Sequence, residues 1–398
     1  MTKDFKVSVV GAGCGGQAIS GHIASLGYKV KLYNRSEERI TDLRKDLRIR
    51  LEGENNAIGL LDKVTTNLEE AIEDTKLIMV VTTATGHREL AEKMSPYLQD
   101  GQVILLNPGR SFGSLEMWNI FKKNNVDKDI TVAEANTLIY ATRLETTGYS
   151  LIKGVKNEVQ ISSIPTGNID RVLEYMHDIY PQFTAANNFL ETSLGNLGPI
   201  FHPTITLMNE DRIRAKENFN FYTDAINDQV AGYIEKVDEE RITVARSLFQ
   251  TNIPDVKEWL TSRYDIPGSK EKNLTELLKT NPAYQNLSAP TTMNVRYLWE
   301  DVPTGLVPFS CIGKALGIPT PYTDYLIRKS SEILGKDFYM LGRNLKNLGL
   351  NPDNLKQQIG LILQEDSFKE RKDNTLLSVS YPVNDYDKSL VQAGDLKL

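Results

Sequence analysis

Residues 6–20, Lys-Val-Ser-Val-Val-Gly-Ala-Gly-Cys-Gly-Gly-Gln-Ala-Ile-Ser, admit few folds: a short apolar run breaks into glycines and resumes with helical periodicity. The pattern predicts strand, turn and helix. Gly11 would make the tight turn, Gly13 would let backbone approach a pyrophosphate, and Gly16 would let the helix pack close to the strand. The phosphates would meet the N–H groups around Cys14 and Gly15, at the positive end of the helix dipole, where no basic side chain is needed. A Gly-x-Gly-x-x-Gly run alone also suits other glycine-rich turns. Here the flanks agree: Ala18, Ile19, Ile23 and Leu26 fall on a helix ending at Gly27, and a second strand, Lys29-Val-Lys-Leu-Tyr33, follows at once. That is a βαβ unit of about 30 residues, as dinucleotide-binding domains use.

The second strand ends in Asn34-Arg35-Ser36, where NAD-binding folds usually place an Asp or Glu for the ribose 2′-hydroxyl. Without that carboxylate, Arg35, helped by Ser36 and Arg39, is expected to pair with the 2′-phosphate of NADP, which a planar guanidinium fits in bidentate fashion. NADP(H) is therefore the preferred cofactor and NAD(H) a possible one; the plainer reading makes Arg35 a solvated residue. Residues 36–47 read as a helix, and the stretch carrying Gly53 and Gly59 as a turn-rich excursion. The run Leu77-Ile-Met-Val-Val81 suits a strand buried on both faces of a parallel sheet, so Thr82 and Thr83 after it should face the ligand crevice. Further strands are expected at 103–106, 131–135, 150–153 and 159–164, and a helix at 169–179.

From Asn188 onward the periodicity becomes helical, with Ile226, Val230, Tyr233, Val237, Val244 and Leu248 on one stripe of a long core helix. The fold class expected is α/β: a Rossmann-type doubly wound sheet over residues 1–187, then an all-α domain over 188–370. A polar tail of 371–398 follows. A chain of 398 residues has ample core for two such domains. Its net charge of −6 argues against a nucleic-acid or anionic-membrane surface. Cys14 and Cys311 are too isolated for a disulfide framework or thiolate metal site, and no H-E-x-x-H spacing occurs, so no metal is expected. With no secretion signal or long apolar span, a cytoplasmic protein is expected.

Proton transfer near neutral pH is most easily done by histidine, and the chain has 4. His22 belongs to the first helix and His177 to a charged helix face; His87 lies in the cofactor-side loop and competes. His202 sits where Gly195, Gly198, Pro199 and Pro203 interrupt an apolar segment, a pattern that locates clefts, although a lone His beside apolar residues is more often structural. Farther on, Arg296 through Pro308 includes Glu300-Asp301-Val-Pro303. Asp301 is either the N-cap of the following helix or the carboxylate that orients His202, with Arg296 as a fork for a substrate carboxylate.

These segments resemble the octopine/nopaline (opine) dehydrogenase family, most closely its bacterial N-(1-carboxyethyl)-amino-acid dehydrogenases. The resemblance rests on Gly11 to Gly16, Leu105-Leu-Asn-Pro-Gly109, His202-Pro-Thr-Ile-Thr-Leu-Met-Asn209, Glu235 to Arg241, Asn281-Pro-Ala-Tyr284 and Arg296 to Pro308, and it extends to about residue 360. It implies a substrate cleft between a Rossmann domain and a helical domain, with His202 and Asp301 as the catalytic pair and Arg296 as the ligand of the 2-oxo acid carboxylate. Members using NAD carry an acidic residue near the end of the second strand, from which Asn34-Arg35 departs. The expected activity is reductive condensation of an amino acid with a 2-oxo acid, pyruvate first, by a homodimer. Two rivals are a simple 2-oxo acid reductase using the same pair, and a nucleotide-sensing protein without turnover, which needs the glycines but not His202, Asp301 and Arg296.

Overall fold

The computed structural model describes residues 5–264 and 266–364. Twelve strands are found among them: β1 (Val7–Val10), β2 (Val30–Tyr33), β3 (Arg48–Gly53), β4 (Ala57–Leu60), β5 (Lys63–Thr65), β6 (Leu77–Val80), β7 (Val103–Leu106), β8 (Thr131–Ala135), β9 (Tyr140–Thr146), β10 (Tyr149–Val155), β11 (Val159–Ile164) and β12 (Phe183–Ala185). Eight of them form one sheet in the order β12-β11-β8-β7-β6-β1-β2-β5. All neighbours run parallel except β11, which is antiparallel to β8. Val7 is level with both Val30 and Leu77, so the loops after β1, β2, β6 and β7 open on one edge. This is a Rossmann-type sheet followed by helices, the fold class the sequence predicts.

The central strands are wholly buried, and their side chains divide by the two-residue period of a strand. Val9, Met79 and Leu105 pack with Ile19 and Ile23 of the first helix, Cys14–Ser25. Ile78, Val80, Ile104 and Leu106 face the other way and share one apolar cluster with Phe189, Ile200, Ile205, Val237 and Val244 of the helical half. The two halves of the chain are therefore joined through a common core rather than a linker. Asn188 accepts a hydrogen bond from Leu190 N and so starts the helix Phe189–Leu194 where the sheet ends. The long helix spans Asp228–Ser247, with the expected Val230, Val237 and Val244 buried.

The turn-rich excursion expected around Gly53 and Gly59 holds two strands. β3 and β4 form a hairpin that joins β9 and β10 in a second sheet, ordered β4-β3-β10-β9, which covers the outer side of the first helix. Gly59 lies so close to that helix that a Cβ on it would sit 2.2 Å from Gly21 O, so the glycine expected to mark a turn is a packing requirement. Residues 36–47 hold a single 3₁₀ turn, Glu37–Arg39, and the short helix Thr41–Asp46 in place of one continuous helix. The tail expected at 371–398 lies outside the described residues. Among the described residues no helix is long and apolar enough to cross a membrane.

Candidate active site

The loops at the carboxyl ends of the parallel strands and the first helices of the second half enclose a cleft of about 1110 Å³. Gly11 leaves β1 at φ +113°, a conformation L side chains rarely adopt, and a Cβ there would meet Val81 O at 2.6 Å. Gly16 lies beneath the turn and does not line the cleft; a Cβ on it would sit 1.7 Å from Gly11 O, so its small size lets the helix start against the strand. Gly13, the N-cap residue, has open space where its Cβ would be. Gly11, Gly13, Cys14 and Gly15 thus line the cleft with a helix N-terminus that can meet an anion.

Asn34, Arg35, Ser36, Arg39, Thr82 and Thr83 line the same cleft. Both ends of the Asn34 amide are engaged internally: Oδ1 accepts from Ala12 N at 3.2 Å and Nδ2 donates to Ser36 O at 2.8 Å. Its work is to tie the glycine turn to the end of β2. Arg35 is 73% exposed and pairs with Glu89 at 3.3 Å, an ion pair of the weak surface kind. Thr82 Oγ1, Asn107 Oδ1, Asn136 Oδ1 and Asn196 Nδ2 line the cleft, are buried and lack protein partners. Each such atom costs about 1–3 kcal/mol unless something satisfies it, so the cleft is furnished for a polar ligand of dinucleotide size.

His202 sits on the helix Gly198–Met208, which runs on through Pro203, and Asp301 just precedes a π-helical turn, Val302–Leu306. His202 Nδ1 lies 2.7 Å from Asp301 Oδ2, and Nε2 lies 2.9 Å from the Tyr222 hydroxyl. The Asp301 side chain makes no N-cap bond. The imidazole stacks on Tyr297, ring centres 4.5 Å apart. Burial pushes the Asp301 carboxyl up, but Arg110 and His202 together outweigh it and hold it below the usual carboxylate range. Burial pushes the Tyr222 phenol well up, so it stays protonated. Taken together these set the hydrogen positions: Nδ1–H donates to Asp301, and Nε2 accepts from Tyr222.

Two buried groups complete the site that inspection of the sequence does not single out. Arg110 sets one Nη 3.0 Å from Asp301 Oδ1 and the other 3.7 Å from Glu300 Oε2, both as ion pairs. Glu300 in turn pairs with Arg296, whose Nε lies 2.7 Å from its Oε2, and accepts from Ala84 N at 2.9 Å. Asp301, Arg110, Glu300 and Arg296 therefore form a row that alternates in sign, with His202 at its Asp301 end. The signals were slight: Arg110 follows the Asn107-Pro108-Gly109 turn by one residue, and Glu300 precedes Asp301.

The other histidines lie elsewhere. His87 is 0% exposed and does not line the cleft. Burial, then Arg343 and Arg110, push its pKa well down, so its Nδ1 accepts from Arg343 Nη2 at 3.0 Å. His22 stacks on Tyr180, and His177 is exposed beside Asp178. Among the described residues no group of three or more His, Cys, Asp or Glu is placed to hold a metal ion.

Residues 185–334 match the family described as NAD/NADP octopine/nopaline dehydrogenase, alpha-helical domain, and residues 6–109 match NAD-dependent glycerol-3-phosphate dehydrogenase N-terminus. The chain is 33% identical to the opine dehydrogenase of Arthrobacter sp. (strain 1C) over 352 residues, covering 88% of this chain and 97% of that one. A structure of octopine dehydrogenase with NADH and L-arginine superposes with a TM-score of 0.76 at 23% identity, covering 91% of this chain and 98% of that one. Yersinopine dehydrogenase bound to NADP+ superposes with a TM-score of 0.70 at 14% identity, covering 92% and 100%.

Proposed function

The chain belongs to the opine dehydrogenase family, NAD(P)-dependent oxidoreductases acting on a CH–NH bond, and from that premise we propose that it uses NADPH to condense an amino acid with a 2-oxo acid, pyruvate first among them. One observation carries this reading: the His202–Asp301 pair and Arg296 line, or directly back, the same cleft as the glycine turn. A nucleotide sensor has no need of that row of charges.

The amine of the donor adds to the ketone, water leaves, and the resulting imine is reduced to a secondary amine. Bound in the cleft, the nicotinamide supplies the hydride. His202 handles the proton: as imidazolium it donates from Nε2 to the departing oxygen, and as imidazole it accepts one in the reverse direction. Tyr222 marks where that oxygen sits, because its hydroxyl now occupies Nε2. Asp301 fixes the ring and favours its cation. Glu300 holds Arg296 by Nε, which leaves the two Nη groups for the 2-oxo acid carboxylate.

The test is to incubate each amino acid with pyruvate and NADPH, follow nicotinamide absorbance and identify products by mass. A secondary amine dicarboxylate is expected. Oxidation of NADPH by the 2-oxo acid with no amine present would instead establish the simple reductase.

Two variants bear on the parts. Arg35 gives up only an exposed pair with Glu89, worth about 0.2–1 kcal/mol, whereas a charge-assisted bond to a 2′-phosphate is worth about 1.5–3 kcal/mol. The parent should favour NADPH in kcat/KM, and Arg35→Asp should invert the ratio; equal or better efficiency of the parent with NADH rules the argument out. For Arg296→Lys, the loss of a fixed fork should raise the KM for the 2-oxo acid roughly tenfold or more and leave that for NADPH nearly unchanged. Equal rises in both would mark Arg296 as structural.

A further inference from the structure

Arg110 is the one cation of the row that is buried, 8% exposed, and it touches the catalytic carboxylate rather than the histidine. Its position is built with care. Arg110 lies at φ 57°, a left-handed conformation that a residue with a side chain rarely adopts. The turn is held there by Arg343, whose Nη1 donates to Gly109 O at 2.8 Å and Ser111 O at 2.9 Å, one residue on either side. The strain aims the guanidinium at the one oxygen of Asp301 that His202 does not use.

We propose that Arg110 is a positioning residue for the proton transfer: it pins Asp301 Oδ1 so that Oδ2 meets His202 Nδ1, and its charge limits how strongly that carboxylate draws a proton onto the imidazole. The proposal rests on the reading of His202 as the proton-transfer group. Without Arg110, Asp301 would place its whole charge on His202, and the imidazolium would persist to higher pH, slowing its return to the neutral form. The other groups facing the pair do not replace it. Tyr222 and Tyr297 are neutral phenols raised by burial, Glu300 is negative, and Arg296 is 54% exposed and taken up by Glu300; His87, behind Arg110, is held neutral.

The experiment is an NMR titration of the imidazole of His202 in the ligand-free full-length chain, its resonance identified by its absence from His202→Ala. In Arg110→Gln the midpoint should rise by about one pH unit. The pH limb of turnover that reports His202 should rise with it. Arg110→Lys, which keeps the charge, should return both to near the parental values. If Arg110→Gln does not fold, Arg110→Met serves, with the same expected rise. An unmoved midpoint in a folded variant overturns the proposal, and so does a rise that Arg110→Lys fails to reverse. An unmoved midpoint with a raised KM for the 2-oxo acid would make Arg110 a direct substrate ligand. Because the titration needs no substrate, failure of the opine reading would show separately, as a parent enzyme with no amine-dependent turnover.

Discussion

His202→Ala should lower turnover about 10²–10⁴-fold, the usual worth of a positioned general acid–base, while leaving the Kd for NADPH nearly unchanged. The separation is expected because His202 meets Asp301, Tyr222 and Tyr297, and none of these holds the glycine turn. Asp301→Asn should fall in the same range. An amide could still accept from Nδ1–H, but it would no longer oppose the charge of Arg110 or stabilise an imidazolium. The double variant should be little worse than His202→Ala, since groups acting as a unit are strongly non-additive. Near-parental turnover by His202→Ala would falsify the assignment, and no other histidine lines the cleft to take its place.

Arg343→Met should destabilise the protein by about 3 kcal/mol, the lower end of the cost of breaking a buried ion pair. The Arg343 guanidinium is 1% exposed; besides the Gly109 and Ser111 carbonyls it meets Glu116 Oε2 at 2.8 Å and His87 Nδ1 at 3.0 Å. Methionine fills the volume but returns none of these donors. The lower end applies because Glu116 keeps Arg88 on its other oxygen at 2.7 Å. Urea denaturation read by circular dichroism measures it. A loss below about 1 kcal/mol would mean that apolar contact substitutes for the network, as it does in some buried ion triads.

The legible parts were those whose signal is local. Four-residue runs such as Leu77–Val80 are apolar throughout because both faces of a parallel sheet are covered, and the glycine turn carries its steric demands in its residue types. β3 and β4 were not legible: each is short, β4 lies at a sheet edge, and β10, the strand that joins their hairpin to the sheet, comes about a hundred residues later in the chain. The alternation is there in β3, where Ile49 and Leu51 are buried between polar neighbours, but it is too brief to stand out beside the glycines that follow. Within the site, His202 and Asp301 stood out through interrupted apolar patterns and family likeness. Arg110 did not, because a buried arginine is recognised only by the carboxylates that neutralise it, and Asp301 and Glu300 lie far along the chain.

The second sheet has a bearing on cofactor affinity although it lies behind the first helix. Gln17, on that helix, donates to Ala12 O in the glycine turn and accepts from Gly148 N between β9 and β10, at 2.9 and 2.8 Å. The turn is thereby ordered before any ligand arrives. A glycine-rich loop left free would surrender about 1–2 kcal/mol of backbone entropy per residue on closing round a pyrophosphate. Here folding has already met that cost, so the affinity for a dinucleotide is set partly by a sheet that, among the described residues, reaches the cleft only through Tyr140, Ala141 and Thr142 of β9.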